Sequence, residues 1–252
     1  MQFSLKAVAA AVALALGSTS ALAVDMGGNS SLIVNVYDSV LGVSIVKDLG
    51  LNYLDFLEAA VTPSDGYTAS FSVDMSIFAG SNPNNVKWSV FASDAQGLFS
   101  ATEVLTTAGL NIGAVPGINS NVAGSLGSNG YGSVFTQWNT ACGTSAETCT
   151  GTGFGSTYFG EYGEDINNNI TVPTSGALDT ALGFYSLKRS SNSAGDQLIS
   201  AQYSNGNLAQ WLLTASGTLT YSVAPVPLPA ALWLLLSGLA GIGVIGRRKT
   251  AA

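Results

Sequence analysis

The chain has 252 residues and a formal net charge of −7, and it contains no histidine. This absence excludes a Ser-His-Asp or Cys-His catalytic arrangement and any imidazole-bound metal. Residues 24–224 contain only four Lys and Arg against fifteen Asp and Glu, which gives this segment a net charge of −11. We therefore expect no nucleic-acid partner, because nucleic-acid binders need cations to neutralise phosphates.

The first 23 residues have the pattern of a secretory signal peptide. Lys6 gives a positively charged start, residues 7–16 form a short apolar stretch, and Ala21 and Ala23 form a small-residue cleavage site. The apolar stretch is too short to span a bilayer as a retained helix. We expect a signal helix that is cleaved after Ala23; a short N-terminal core helix is the alternative.

Residues 24–224 are expected to form one exported, β-rich domain. Runs of β-branched and aromatic residues, several with period-2 alternation, predict strands that are separated by clusters of Gly, Pro, Asn and Asp. The predicted strands are 31–37, 41–46, 67–78, 86–90, 98–106, 133–138, 182–187, 197–203, 207–213 and 218–223. Apolar residues at helical spacing in 52–60 predict one short helix, with Asn52 as its cap.

These elements favour an all-β fold. Asn205-Gly206 predicts a tight hairpin turn between strands 197–203 and 207–213, and Ser216-Gly217 predicts a turn before the last strand. Eight to eleven short antiparallel strands indicate a β-sandwich. A β-solenoid is the alternative, although no repeat of fixed period is present. Glycine recurs every few residues from 108 to 165, which predicts long surface loops.

The chain has two cysteines, Cys142 and Cys149. In an exported chain this pair predicts a disulfide that closes a small loop. A metal site would need further ligands nearby.

One segment contains the oxygen-rich side chains that calcium prefers. Asp165, Asn167 and Asn169 match the first half of a calcium loop, but Ile170 replaces the Gly of the sharp turn and Gly176 replaces the bidentate Glu. This excludes an EF-hand. A looser Ca²⁺ site and a simple polar turn remain as alternatives, and we expect no other cofactor.

Exposed aromatic side chains can stack on sugar rings, whereas aromatics in β-sandwiches usually fill the core. The candidates for a sugar-binding platform are Trp138, Tyr158, Phe159, Tyr162 and Trp211. Trp88 and Phe71 lie in alternating strands and are expected in the core. No pair of carboxylates stands out for glycoside hydrolysis, so we expect no catalysis.

The C-terminal residues 225–252 form a three-part pattern. The first part is the pentapeptide Val226-Pro227-Leu228-Pro229-Ala230. An uncharged apolar segment follows, and 18 residues span ~27 Å as a helix, so we predict a transmembrane helix over residues 228–246. The basic stop is Arg247, Arg248 and Lys249. These cations are expected to stay cytoplasmic while the body faces outward. A buried C-terminal helix is the alternative.

The tail resembles the PEP-CTERM sorting signals of exported bacterial proteins, and residues 226–230 are similar to the VPLPA variant of that class. In the main form Glu stands between the two prolines, where this chain has Leu228. A wall-sorting signal of the Leu-Pro-x-Thr-Gly type is the nearest rival, but residues 228–232 lack its Thr and Gly.

This resemblance implies processing by an exosortase, a multi-pass membrane cysteine peptidase-like enzyme. The tail would be removed near residues 227–229 after transient anchoring in the inner membrane, with the body in the periplasm. The body would then reach the surface or the exopolysaccharide and biofilm matrix of a Gram-negative bacterium. We therefore expect an exported, non-enzymatic surface or matrix protein, and extracellular polysaccharide is a candidate partner. The alternative is a carbohydrate- or calcium-binding module on the same route; a hydrolase that uses two carboxylates ranks third.

Overall fold

The structure is a computed structural model of the chain. It describes residues 30–53, 68–93, 103–110, 132–143, 145–160, 174–189, 198–202 and 209–223. Within these residues no helix has the length and apolarity needed to cross a membrane. The predicted signal helix at 1–23 and the predicted transmembrane helix at 228–246 lie outside the described residues.

The described residues form eleven strands and one α-helix. The strands are β1 (Ser31–Asp38), β2 (Val43–Asn52), β3 (Thr68–Ser72), β4 (Val86–Ser93), β5 (Glu103–Ala108), β6 (Thr148–Gly151), β7 (Gly176–Ala177), β8 (Leu182–Arg189), β9 (Leu198–Gln202), β10 (Ala209–Leu213) and β11 (Thr218–Val223). The helix, α1, spans Gly132–Ala141. Every strand pair is antiparallel, which confirms the all-β, antiparallel part of the predicted fold class.

The strands join into one sheet rather than the two sheets of the predicted sandwich. Its path runs β3-β11-β10-β8-β5-β4-β1-β2-β6, and β7 and β9 pair with β4 and β8 beside this path. A twisted sheet of this many strands curls on itself. The curl brings residues from both halves of the sheet into one apolar core.

The core inside the curl is built from alternating strand residues. Trp211 belongs to this core and is fully buried. Its ring centroid is 4.9 Å from that of Tyr221, 5.8 Å from that of Phe184 and 5.9 Å from that of Phe71. These rings pack in tilted and edge-to-face arrangements, which aromatic pairs prefer over face-to-face stacking.

A second apolar layer covers the outer face of the sheet around β1. All eight residues of β1 are buried, so both faces of this strand are covered. On the outer face α1 places Phe135 edge-to-face against Phe91, with ring centroids 6.3 Å apart. Asn35 donates from Nδ2 to the carbonyl oxygen of Phe159 at 3.0 Å. These contacts position α1 and the segment after β6 over β1 and β4.

The predicted strand 133–138 is wrong, because this segment belongs to α1. Val134, Phe135 and Trp138 are all at most 2% exposed. Their spacing of i, i+1 and i+4 places them on one face of a helix, while a strand would split them between two faces. The exposed Thr136 donates its hydroxyl proton to the Gly132 carbonyl at 2.9 Å, one helical turn earlier.

The predicted strand 67–78 is found only in part, because β3 ends at Ser72. Asp74 Oδ1 accepts a hydrogen bond from the backbone N–H of Ser76 at 2.9 Å, and a short 3-10 turn at Ser76–Phe78 follows. This side-chain bond gives the backbone an alternative to the sheet ladder. In the predicted helix 52–60, Asn52 is the last residue of β2, Tyr53 has helical conformation, and residues 54–60 lie outside the described part, so the helix stays a prediction.

One of the two predicted hairpins is found. β10 and β11 form a hairpin, and Gly217 in its turn has φ +86°. β9 and β10 do not pair with each other: Gln202 lies opposite Tyr185 and Gln210 lies opposite Gly183. β9 and β10 therefore pair with different parts of the same edge of β8, and the predicted hairpin between them is wrong.

Strand register assigns the turns to the two ends of the sheet. β1 starts at one end, where Ser31 pairs with Asn52, and β11 runs towards this end and stops at Val223, level with the middle of β1. The turn between β1 and β2 lies at the opposite end, together with the turn between β10 and β11. The two ends are separated by the length of the strands.

Candidate functional site

Several of the predicted site residues lie outside the described part of the chain. They are Ala21, Ala23, Tyr162, Asp165, Asn167, Asn169, Val226, Pro227, Leu228, Pro229, Ala230, Arg247, Arg248 and Lys249. The signal cleavage site, the calcium site and the sorting tail therefore stay predictions.

Cys142 and Cys149 form the predicted disulfide. Their Cα atoms are 5.7 Å apart, within the usual range for a disulfide. Cys142 follows the last residue of α1, and Cys149 is a buried residue of the edge strand β6. The disulfide therefore attaches the end of α1 to the edge of the sheet, a few residues before the segment 152–158.

The predicted sugar-binding platform is wrong for three of its five aromatic residues. Trp138, Phe159 and Trp211 are each 0% exposed, so none of their rings can reach a sugar. Trp88 is also fully buried, as predicted, and Phe71 is half-buried against the core. Residue type alone did not distinguish buried aromatic side chains from exposed ones.

The structure instead places exposed apolar side chains on two loops that meet at Gly42, at the end of the sheet that holds the β1–β2 turn. We call this group the distal patch and define it by the side chains of Val40, Leu41, Phe154 and Tyr158. The first three are 64%, 44% and 59% exposed, and Tyr158 is half-buried. Phe154 was missed in the sequence, because the glycine-rich segment 151–155 has no periodicity that would reveal its exposure.

Asp38 builds the turn that presents Val40 and Leu41. Its Oδ1 accepts hydrogen bonds from the backbone N–H groups of Val40, at 2.8 Å, and Leu41, at 3.2 Å. Burial opposes ionisation of this carboxyl, but the hydrogen bonds that it accepts prevail and lower the pKa of Asp38. The turn closes at Gly42, whose N–H donates to the Asp38 carbonyl at 2.9 Å.

Phe154 is held in an unusual backbone conformation. Its φ is +55°, a left-handed value that is strained for a bulky residue. Its ring packs edge-to-face with Tyr158 at a centroid distance of 5.1 Å. Gln137 on α1 donates from Nε2 to the carbonyl oxygens of Ser156 and Tyr158, which fixes the loop that carries both rings.

A cleft of about 540 Å³ also lies on the described surface. It is lined by Ile45, Lys47, Ser72, Val73, Asp74, Met75, Ser76, Thr148 and Ser216. Its charged groups already have partners within the chain: Lys47 Nζ lies 3.1 Å from Glu147 Oε1, and Asp74 accepts from the Ser76 N–H. That backbone hydrogen bond and the Ser76 side chain lower the pKa of Asp74. The distal patch is therefore the stronger candidate for binding a partner.

Comparison of the chain with protein-family models, with curated proteins and with solved structures gives no match.

Proposed function

We propose that this chain is an exported surface or matrix protein that an exosortase sorts through the C-terminal tail, and that it performs no catalysis. The observation that carries the proposal is the order of three elements in residues 225–252. A proline-containing pentapeptide precedes an apolar segment of membrane length, and three basic residues follow. Each element alone is common, but their order and spacing make up a complete sorting signal of the kind that the tail resembles.

The position of the last strand supports this proposal. β11 ends at Val223, which is 2% exposed and paired with Ala209. The pentapeptide begins at Val226, only a few residues after the sheet. Prolines at 225, 227 and 229 disfavour helix and sheet pairing, so a peptidase would meet an extended segment.

The disulfide also supports export. Disulfides persist in oxidising compartments such as the periplasm and the extracellular space, and they are rare in the cytosol. The Cys142–Cys149 pair therefore suits a chain whose body is folded outside the cytoplasm.

Processing can be tested in a host that has an exosortase and in a strain that lacks it. In the first host the wild-type chain is expected to lose its tail, and the double variant Pro227→Ala/Pro229→Ala is expected to accumulate at full length in the inner membrane. Pro225→Ala is the matched control, because it removes a proline from outside the pentapeptide, and it is expected to be processed. Equal processing of the wild-type chain in both strains would overturn the role of the exosortase.

A further inference from the structure

We propose that the distal patch binds a neutral polysaccharide and that Phe154 stacks on its sugar rings. The distal patch lies within the described residues, and the contacts that form it do not involve the C-terminal tail. The proposal therefore goes beyond sorting and can fail independently of it.

The conformation and support of Phe154 are the first argument. A bulky residue with φ +55° carries strain, and strained residues cluster at binding and active sites. The strain is not compensated by burial of the ring, since the side chain is 59% exposed. Two hydrogen bonds from Gln137 and the ring of Tyr158 hold the loop in this form. The fold thus presents an aromatic ring to solvent on a fixed support.

The packing of the ring leaves it accessible. Phe154 Cδ2 would be 2.5 Å from a Cβ added to Gly42, so the ring lies directly against this glycine. The backbone N–H of Phe154 also donates to the Gly42 carbonyl at 3.4 Å. The contact with the β1–β2 turn orients the ring, and the exposed remainder offers an apolar surface to the C–H face of a sugar ring.

The surroundings of the ring determine what kind of polymer fits. The segments 39–46 and 148–160 contain no charged residue. The hydroxyl-bearing residues Ser39, Thr152 and Ser156 are exposed in the same two loops and can donate to and accept from sugar hydroxyls. The net charge of −11 for residues 24–224 would repel acidic polysaccharides and anionic membranes. An uncharged polyhydroxyl chain is the partner that this combination favours.

Binding can be measured with the complete chain in mild detergent by affinity electrophoresis. The probes are gels that contain cellulose-type glucan, laminarin, mannan or dextran, and a gel with alginate represents acidic polysaccharide. We expect retardation by at least one neutral polymer and none by alginate.

Phe154→Ala is expected to weaken this binding about tenfold or more, because loss of a stacking ring removes the main contact. Phe154→Trp should retain it. Leu110→Ala is the control, since Leu110 is 42% exposed and follows β5 instead of belonging to either loop of the patch.

A second variant separates binding from folding. Phe154→Gly removes the ring and also relieves the strain at φ +55°, because glycine adopts this conformation freely. It is expected to keep the wild-type melting temperature or exceed it while losing the neutral polymer. The proposal is overturned if no neutral polymer retards the wild-type chain, or if Phe154→Gly binds as well as wild type. It is also overturned if Phe154→Ala abolishes dimerisation or binding to phosphatidylglycerol vesicles and leaves polysaccharide binding intact.

Discussion

The ring of Phe154 lies against Gly42, so closely that a Cβ at this glycine would come 2.5 Å from Cδ2 and 2.7 Å from Cγ of the ring. Gly42 also has φ +65°, which glycine adopts more readily than any other residue. The turn after β1 and the loop after β6 therefore fit together only because position 42 has no side chain.

Gly42→Ala is expected to destabilise the chain through both effects. The left-handed backbone costs roughly 1–2 kcal/mol for a residue with a Cβ, and the clash with Phe154 adds overpacking of about 1–3 kcal/mol. Gly50→Ala is the control, since Gly50 has φ +69° but nothing lies within 4 Å of its added Cβ. Denaturant unfolding should show the larger loss for Gly42→Ala. Equal losses would contradict the contact with Phe154.

Loss of the disulfide should lower the free energy of unfolding by roughly 2–3 kcal/mol, the amount expected for a loop of this length. The variant replaces Cys142 and Cys149, which are seven positions apart, with serine. Chemical denaturation of the variant and of the reduced wild-type chain should give the same loss. If the double serine variant is as stable as the oxidised wild-type chain, the disulfide does not hold α1 to β6.

Trp138→Ala tests the assignment of α1. The indole is fully buried on the helix face that meets the sheet, so its truncation should cost about 3–5 kcal/mol. Thr136→Ala is the control on the exposed face of the same helix, and its effect should stay within about 0.5 kcal/mol. If both variants unfold at the same denaturant concentration as wild type, Trp138 is not in the core.

Two acidic residues should make the stability of the chain depend on pH in opposite directions. Burial raises the pKa of Asp48 above its ordinary 3.8, although the Gly50 N–H donates to this carboxyl at 2.8 Å. A raised pKa means that stability from Asp48 is fully present below pH 3.8 and is lost as the pH rises through the folded value. Asp48→Asn should therefore stabilise the chain at pH 7, and the gain should shrink towards pH 3.8.

Asp38 is the matched counterpart, because the hydrogen bonds at the β1–β2 turn lower its pKa. Its stabilising effect is present above pH 3.8 and is lost as the pH falls through the folded value. Asp38→Asn should destabilise the chain at pH 7. Denaturant unfolding at several pH values checks both variants, and changes of the same sign at pH 7 would contradict the assignment.

The strands were predictable where side chains alternate between two environments. Val86, Trp88 and Val90 alternate with less apolar residues, and β4 is found there. Residue type failed at α1, because its β-branched and aromatic residues suggested a strand while the spacing of Val134, Phe135 and Trp138 is helical. Periodicity was the better signal, and residue type misled.

The sheet order and the exposed aromatic were not predictable from the sequence. β5 pairs with β8, and Leu105 lies opposite Ser186, so the curl depends on a contact between distant parts of the chain. Burial of an aromatic side chain also depends on such contacts. Trp211 and Phe154 belong to the same class of residue, but one lies inside the curl and the other on a strained surface loop.

Mass spectrometry of the mature protein from a host with an exosortase tests the sorting proposal most directly. We predict an N-terminus near Val24 and a C-terminal peptide that ends near residues 227–229, with Trp233 absent. A mature species that retains Arg247, Arg248 and Lys249 would contradict tail removal and would leave the tail as a permanent anchor.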